Sequence, residues 1–280
     1  MGMVINTNIA AINANRTLEI SGREMNTSME RLTSGLRING AADDAAGLGV
    51  VTQMDTQIMG TDMAIRNAND GIAKIQTADG AAEEITSMLQ RMRELGVQSL
   101  NGTYSDTNRA QMNEEFQALE SEIGRIAETT KFNGVNIMNA SASSNSAAAK
   151  FHVGWEAGVD NKVSMSIYNF AVSAGALNIS ALSVGNISAA SVAVGSIGRA
   201  LSEINLQRAS WGAVQNRLES TVTNLANVNE NIQAAQSQIL DADFAKESAN
   251  LARTQVLQQA GMSMLSQANQ QSQNVMQLLQ

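Results

Sequence analysis

Apolar side chains recur along this chain at helical spacing, and the longest run lies late. Ile197, Leu201, Ile204, Arg208, Trp211, Gln215, Leu218, Val222, Leu225, Asn229, Ile232, Gln236 and Ile239 follow one another at alternating four- and three-residue steps. Such alternation is a heptad seam, here sustained over about six heptads. The helix it predicts would be roughly 65 Å long at 1.5 Å per residue, more than a globular core of this size requires. Its polar members, Arg208, Gln215, Asn229 and Gln236, cost stability but can set register.

An earlier stretch supplies a partner. Ile58, Ile65 and Ile72 recur every seven residues, and Ile75, Ala82, Ile85, Leu89, Met92 and Leu95 continue an apolar face. Asn101-Gly102 and the run Thr103–Asp106 mark a break. Met112, Phe116, Leu119, Ile123 and Ile126 then return to four-three spacing. Three amphipathic helices with facing stripes predict a bundle. From about Asn139 to Gly198 the pattern changes to Ser, Ala, Gly and Asn with few charges. Lys162 to Tyr168 alternates polar and apolar, which predicts a strand; residues 141–149 read as a low-complexity surface loop. The insert is the expected place for β-hairpins.

The two chain ends share an unusual chemistry. No charged side chain precedes Arg16 and none follows Arg253, yet the stretch after Arg253 holds nine Gln. Thr254, Leu257, Gly261, Met264, Ala268, Gln271, Val275 and Leu278 form its seam. Val4, Ile5, Ile9 and Ile12 open a similar helix at the front, and Leu18, Met25, Met29, Leu32 and Leu36 continue it after a phase shift. Soluble surfaces ordinarily carry charge, so an uncharged amphipathic helix is best explained by burial against copies of itself. Both ends are expected to join in one coiled coil. Isolated helices of this kind are marginal in water, so the termini are expected to be disordered in the monomer and to order on assembly.

Composition narrows the function. The chain has 280 residues, 44% hydrophobic but only 3% aromatic, with 15 Met, no Pro and no Cys. Average proline usage would give roughly 14, and its absence suits uninterrupted helices. Without Cys there are no disulfides and no thiolate chemistry. A net charge of -8 offers no nucleic-acid footprint. No stretch of about 20 apolar residues predicts a membrane span. The opening MGMVINTNIAAINANR lacks the basic run and apolar core of a secretory signal, so if the protein leaves the cell, it does so by a route that does not cleave one.

Enzyme signatures are missing: no Walker A sequence, G-x-G-x-x-G, H-E-x-x-H or G-x-S-x-G occurs. The single His, His152, reads as a structural or surface residue. Asp43-Asp44 could suggest a metal pair, but helix-breaking and capping near Asn39-Gly40 and Gly47 is the simpler reading. The helical pairs Glu83-Glu84 and Glu114-Glu115 read as solvated faces, and the sequons at Asn101, Asn178 and Asn186 as chance in an Asn/Ser-rich chain. No catalytic, cofactor or metal site is expected.

Several long blocks resemble one family. VINTNIAAINANR at 4–16, MERLTSGLRINGAADDAAGLGV at 29–50, RNANDGIAKIQTADGA at 66–81, LQRMRELGVQS at 89–99 and KFNGVNIM at 131–138 are similar to the N-terminal signature of bacterial flagellins. ILDADFAKESANLARTQVLQQAGMSMLSQANQ at 239–270 resembles its C-terminal partner. The resemblance spans about residues 1–138 and 199–280.

It implies a mainly α fold: a long helical bundle and coiled coil from both termini, with a small insert containing a β-hairpin. Residues 1–45 and 240–280 would form an inner coiled-coil domain, and 46–239 an outer helical domain with a β-rich insert at about 139–198. The implied function is a secreted, extracellular subunit that polymerises into the flagellar filament for swimming. Its assembly seams would include Ile5, Ile9, Ile12, Leu257, Met264, Val275 and Leu278. Implied partners are further copies of the chain, the flagellar type III export apparatus and an export chaperone, and hook-associated and cap proteins. LQRMRELGVQS also resembles the surface that a Toll-like receptor reads on enterobacterial flagellins, where Arg91, Leu95 and Glu115 match the positions that matter. Family members often carry O-linked sugars, for which Ser141, Ser143, Ser144, Ser180, Ser183 and Ser188 are candidates. Two alternatives share the heptads: a hook–filament junction protein, which usually departs from the RINGAADDAAG and LQRMREL blocks, and a soluble coiled-coil binding protein with ordered ends.

Overall fold

A computed structural model describes residues 7–139, 148–167, 169–172 and 177–277. Among them run five helices: α1 (Ile9–Ser34), α2 (Ala45–Ser99), α3 (Asp106–Thr129), α4 (Ile187–Leu240) and α5 (Phe244–Gln277). Two antiparallel hairpins lie between α3 and α4 in sequence. One pairs β1 (Lys131–Phe132) with β2 (Val135–Asn136), the other β3 (Ala148–His152) with β4 (Lys162–Ser166). The mainly α architecture with a small hairpin insert is the expected one. No described helix is long and apolar enough to cross a membrane.

Local chemistry sets the helix ends. Asn8 accepts a hydrogen bond from Ala11 N (3.1 Å) and starts α1, which stops at Gly35 in the left-handed region (φ 74°). Asp44 Oδ1 accepts from Gly47 N at 2.8 Å, while Asp43 Oδ2 accepts from Asn39 N and Gly40 N. The Asp pair is therefore capping machinery for the entry to α2, as expected. Ser105 caps α3 by accepting from Asn108 N, and Asn186 caps α4 by accepting from Ala189 N.

The chain divides into two compact units. One comprises the described residues up to Thr56 and from Glu230 onward; the other is Gln57–Asn229.

In the second unit, α2 and α4 run antiparallel. Asp62 accepts from Asn229 near one end of the pair and Asp79 from Arg208 further along. The α2 residues buried at its centre are Thr61, Ala64, Ala68, Gly71, Ile75, Ala78, Ala82, Ile85, Leu89 and Met92. The expected Ile58, Ile65 and Ile72 lie beside that lane and are only half-buried. The reason is the β3–β4 hairpin, which lies on the small residues. A methyl group at Gly71 would meet the Phe151 ring at 3.0 Å, and one at Gly60 would meet Trp155 Cβ at 2.7 Å. Asn67 Nδ2 donates to the His152 carbonyl and ties the hairpin to α2.

The α4 seam needs a similar correction. Ile197, Ile204, Trp211 and Leu218 are buried as expected, but the alternating positions are Ala200, Gln207 and Val214 rather than Leu201, Arg208 and Gln215. Gln207 Nε2 and Trp211 Nε1 both donate to the Ser166 carbonyl at the end of β4 (2.6 and 3.1 Å). The hairpin thus pulls the buried stripe one position around the helix. The Trp211 ring packs against Phe170, centroids 5.9 Å apart. α3 adds Phe116, Ile123 and Ala127 to the same core.

The insert departs from expectation at both ends. α4 begins at Ile187, well before Gly198, with Ala190 and Ala193 buried. The β1–β2 hairpin precedes Asn139; its turn is Asn133-Gly134, both at positive φ (50° and 78°). Asn-Gly is the strongest short-range hairpin signal, and reading KFNGVNIM only as a family block missed it. β4 occupies Lys162–Ser166 of the expected strand, with Val163 and Met165 buried in alternation. Tyr168 lies outside the described residues, as do 141–147 of the expected loop; 148 and 149 begin β3.

Candidate assembly surface

In the first unit, α1 and α5 lie antiparallel. Ser28 Oγ and Arg31 Nη1 donate to the two oxygens of Glu247 (3.0 and 3.2 Å), Leu18 lies against Gly261, and Asn8 Nδ2 donates to the Ala268 carbonyl (2.9 Å). Beyond the helices, Leu36 and Asp241 form an antiparallel bridge, and the Arg37 guanidinium donates twice to the Ile239 carbonyl.

What the two helices turn toward each other is mostly small or polar. On α1 the covered positions include Ala11, Ala14, Leu18, Ser21, Met25, Ser28 and Leu32; on α5 they include Glu247, Thr254, Gly261 and Ala268. Ser21, Ser28, Glu247 and Thr254 are the fully buried ones. A Cβ on Gly261 would come within 2.9 Å of Leu18 Cδ2, so a larger residue there would require the Leu18 side chain to shift.

The expected seam residues lie elsewhere. Ile9 is 62% exposed, Ile12 57%, Leu257 46% and Met264 60%. Phe244, Val256, Met262 and Met29 are exposed as well. Ile5 and Leu278 lie outside the described residues, and Val275 falls where no side chain is described. Of the five α5 seam positions whose side chains are described, Thr254, Gly261 and Ala268 are covered by α1, while Leu257 and Met264 are exposed. An exposed apolar group costs roughly 25 cal/mol for each Å² left in water. Among the described residues, nothing covers Ile9, Ile12, Leu257 and Met264.

Glu247 is the one buried carboxylate of the pair. Burial pushes its pKa up, but hydrogen bonds from Ser28, Arg31 and Asn250 outweigh this and hold it below the usual carboxylate range. Nothing in the sequence pattern singled this residue out, because Ser28 and Arg31 lie more than two hundred positions away.

The other candidate sites divide. Arg91 Nε donates to Glu115 Oε1 at 2.9 Å and its Nη1 to Glu94 at 3.1 Å, so Arg91 and Glu115 share an exposed surface joining α2 to α3. Leu95 is buried in the core and is not part of that surface. Ser188 is exposed on the first turn of α4 and Ser180 is half-buried. Ser183 is half-buried, its hydroxyl donating to Asn113 Oδ1 (2.8 Å). Ser141, Ser143 and Ser144 lie outside the described residues. Asn113, with Ser99, clamps the backbone of Val184 from both sides. Arg109 is buried where its guanidinium binds the Ser99 and Asn101 carbonyls at the end of α2. Sequence reasoning missed all three, although Arg109 follows the helix break closely. No group of three metal-ligating side chains occurs among the described residues.

Comparison with known proteins gives a consistent picture. The bacterial flagellin N-terminal helical region matches residues 5–143 and the flagellin C-terminal helical region residues 194–279. A flagellin from Halalkalibacterium halodurans is 44% identical, aligned over 99% of this chain and 100% of its own length. The flagellar filament 31.3 kDa core protein of Treponema maltophilum is 41% identical over 99% of this chain and 100% of its own. The crystal structure of Bacillus cereus flagellin is similar with a TM-score of 0.50 and 25% identity, covering 57% of this chain and 88% of that one. These relatives favour a filament protein over a junction protein or a soluble coiled-coil binder. With both family regions present in order and full-length relatives of its own size, the chain belongs to the bacterial flagellin family.

Proposed function

We propose that this structural subunit of the flagellar filament polymerises through the outward faces of α1 and α5. One observation carries the reading: the apolar residues Ile9, Ile12, Leu257 and Met264 face away from the helix partner within the chain. They lie on helices whose outer segments carry no charge. Association with several neighbours would bury them and offset the conformational entropy of ordering the chain ends. On this reading 1–45 and 240–280 form the inner coiled-coil domain and 46–239 the outer one. The subunit works outside the cell and catalyses no reaction.

The remaining partners follow the family. The flagellar export apparatus and a chaperone at α5 would deliver the chain, and hook-associated and cap proteins would bound the filament. Arg91 and Glu115 form the exposed part of the surface that would meet a Toll-like receptor; Leu95 would support it from beneath. Ser188 is the best-placed described serine for an O-linked sugar.

Electron microscopy after seeding with filament fragments tests the assembly reading. The full chain should grow long uniform tubes, and a chain lacking 255–280 should stay folded yet unpolymerised. Normal tubes from the truncated chain, or a monodisperse oligomer from the full one, would overturn it.

A further inference from the structure

The antiparallel α1–α5 pair carries a groove of about 290 Å³ whose charges are not balanced within the chain. Arg23, Arg31 and Arg253 line it, with Glu24 and Glu247. Glu247 is already used: Ser28, Arg31 and Asn250 all donate to it. Among the described residues neither Arg23 nor Arg253 forms an ion pair, and both are exposed. Arg31 is the third cation of the groove, and its Nη1 is already paired with Glu247.

We infer that this groove is a carboxylate-binding site completed in the polymer, and that its occupant is an acidic side chain of a second copy of the chain. The inference rests on the assembly reading above. Two observations favour a second copy. The chain holds 26 acidic against 18 basic residues, so its own surface supplies carboxylates in excess. The groove also runs on toward the exposed apolar residues, since Leu257 lies one turn beyond Arg253 on the same face of α5. Guanidinium suits the task because its planar fork can bind both oxygens of a carboxylate. The apolar row would supply most of the association energy; the arginine groove would select one register among those the row permits.

The test uses full-length chains. An Arg253→Lys variant is polymerised from an equal mixture of isotopically light and heavy subunits. It is then treated with a water-soluble carbodiimide, which joins an amine to an adjacent carboxylate without a spacer. Mass spectrometry of the digest should show mixed-isotope cross-links from position 253 to an Asp or Glu in filaments, and none in monomer. In parallel, Arg253→Gln and Arg23→Gln should raise the critical concentration about ten-fold in low salt, the change that about 1.4 kcal/mol gives. That difference should shrink at high salt. If the wild-type chain forms no filaments, the assembly reading falls and this inference with it. If wild-type filaments form normally but cross-links from position 253 stay within one subunit, the inference alone is overturned. Unchanged critical concentrations for both Gln variants overturn it equally.

Discussion

The Arg208 guanidinium grips the Asp79 carboxylate with two hydrogen bonds, Nε to Oδ1 at 2.6 Å and Nη2 to Oδ2 at 3.2 Å. The residues are 129 positions apart, and the pair joins α2 to α4 beside the buried lane. It is a register device: sliding either helix by one turn would move the fork about 5.4 Å from its acceptor.

Breaking this fork should cost little in the subunit. Both side chains are about a third exposed, where ion pairs are worth about 1 kcal/mol or less. Asp79→Asn and Arg208→Gln should each destabilise the folded subunit by about 1 kcal/mol in denaturant melts. A double-mutant cycle should return a coupling of similar size that fades with salt. A coupling of zero would deny the pair any role in register.

Trp211 should be far less forgiving. It is fully buried, packs at a tilt against Phe170 and donates to the Ser166 carbonyl. Trp211→Ala should destabilise by about 3–5 kcal/mol and loosen the β3–β4 hairpin. The chain has only two Trp, and Trp155 is exposed. Blue-shifted emission should therefore belong to Trp211 and vanish in the variant, leaving a red-shifted signal.

Two glycines of α2 should respond in opposite directions. Gly80 has open space where a methyl would stand, whereas Gly71 lies under the Phe151 ring. Gly80→Ala should stabilise by about 1 kcal/mol through helix propensity. Gly71→Ala should destabilise despite the same gain, because the hairpin must shift. Thermal melts of the two variants displaced in the same direction would contradict the placement of the hairpin.

Acid should release the α1–α5 pair. The folded pKa of Glu247 is lowered, so its contribution is fully present above the unfolded value, about 4.3. It is lost as pH falls through the lower folded value. In assembled subunits, the hydrogen-exchange protection of residues 9–34 and 244–277 should therefore drop in strong acid. Glu247→Gln should flatten that dependence and weaken the pair at neutral pH by about 1–3 kcal/mol.

Much of the fold was legible because helices repeat every 3.6 residues. The tracks through Ile75, Ala82 and Leu89 and through Ile197, Ile204, Trp211 and Leu218 identified buried faces directly. So did the capping role of Asp43-Asp44, which is local. The uncharged chain ends pointed to assembly before any contact was known.

What spacing could not decide was which flank of each stripe is covered. Ala200 and Leu201, or Gln207 and Arg208, are one residue and about 100° apart on a helix. Either can complete a four-three pattern. The choice was made by the β3–β4 hairpin, whose Phe151, Trp155 and Ser166 need small or hydrogen-bonding neighbours at Gly71, Gly60, Gln207 and Trp211. The same holds at the chain ends. The sequence by itself determined that α1 and α5 are amphipathic and sticky. Only the tertiary structure decided that Ser28, Glu247, Thr254 and Gly261 face inward and Ile9, Ile12, Leu257 and Met264 outward. Close antiparallel approach favours small and hydrogen-bonded groups along the centre of the contact, so these four bulky apolar residues stay exposed.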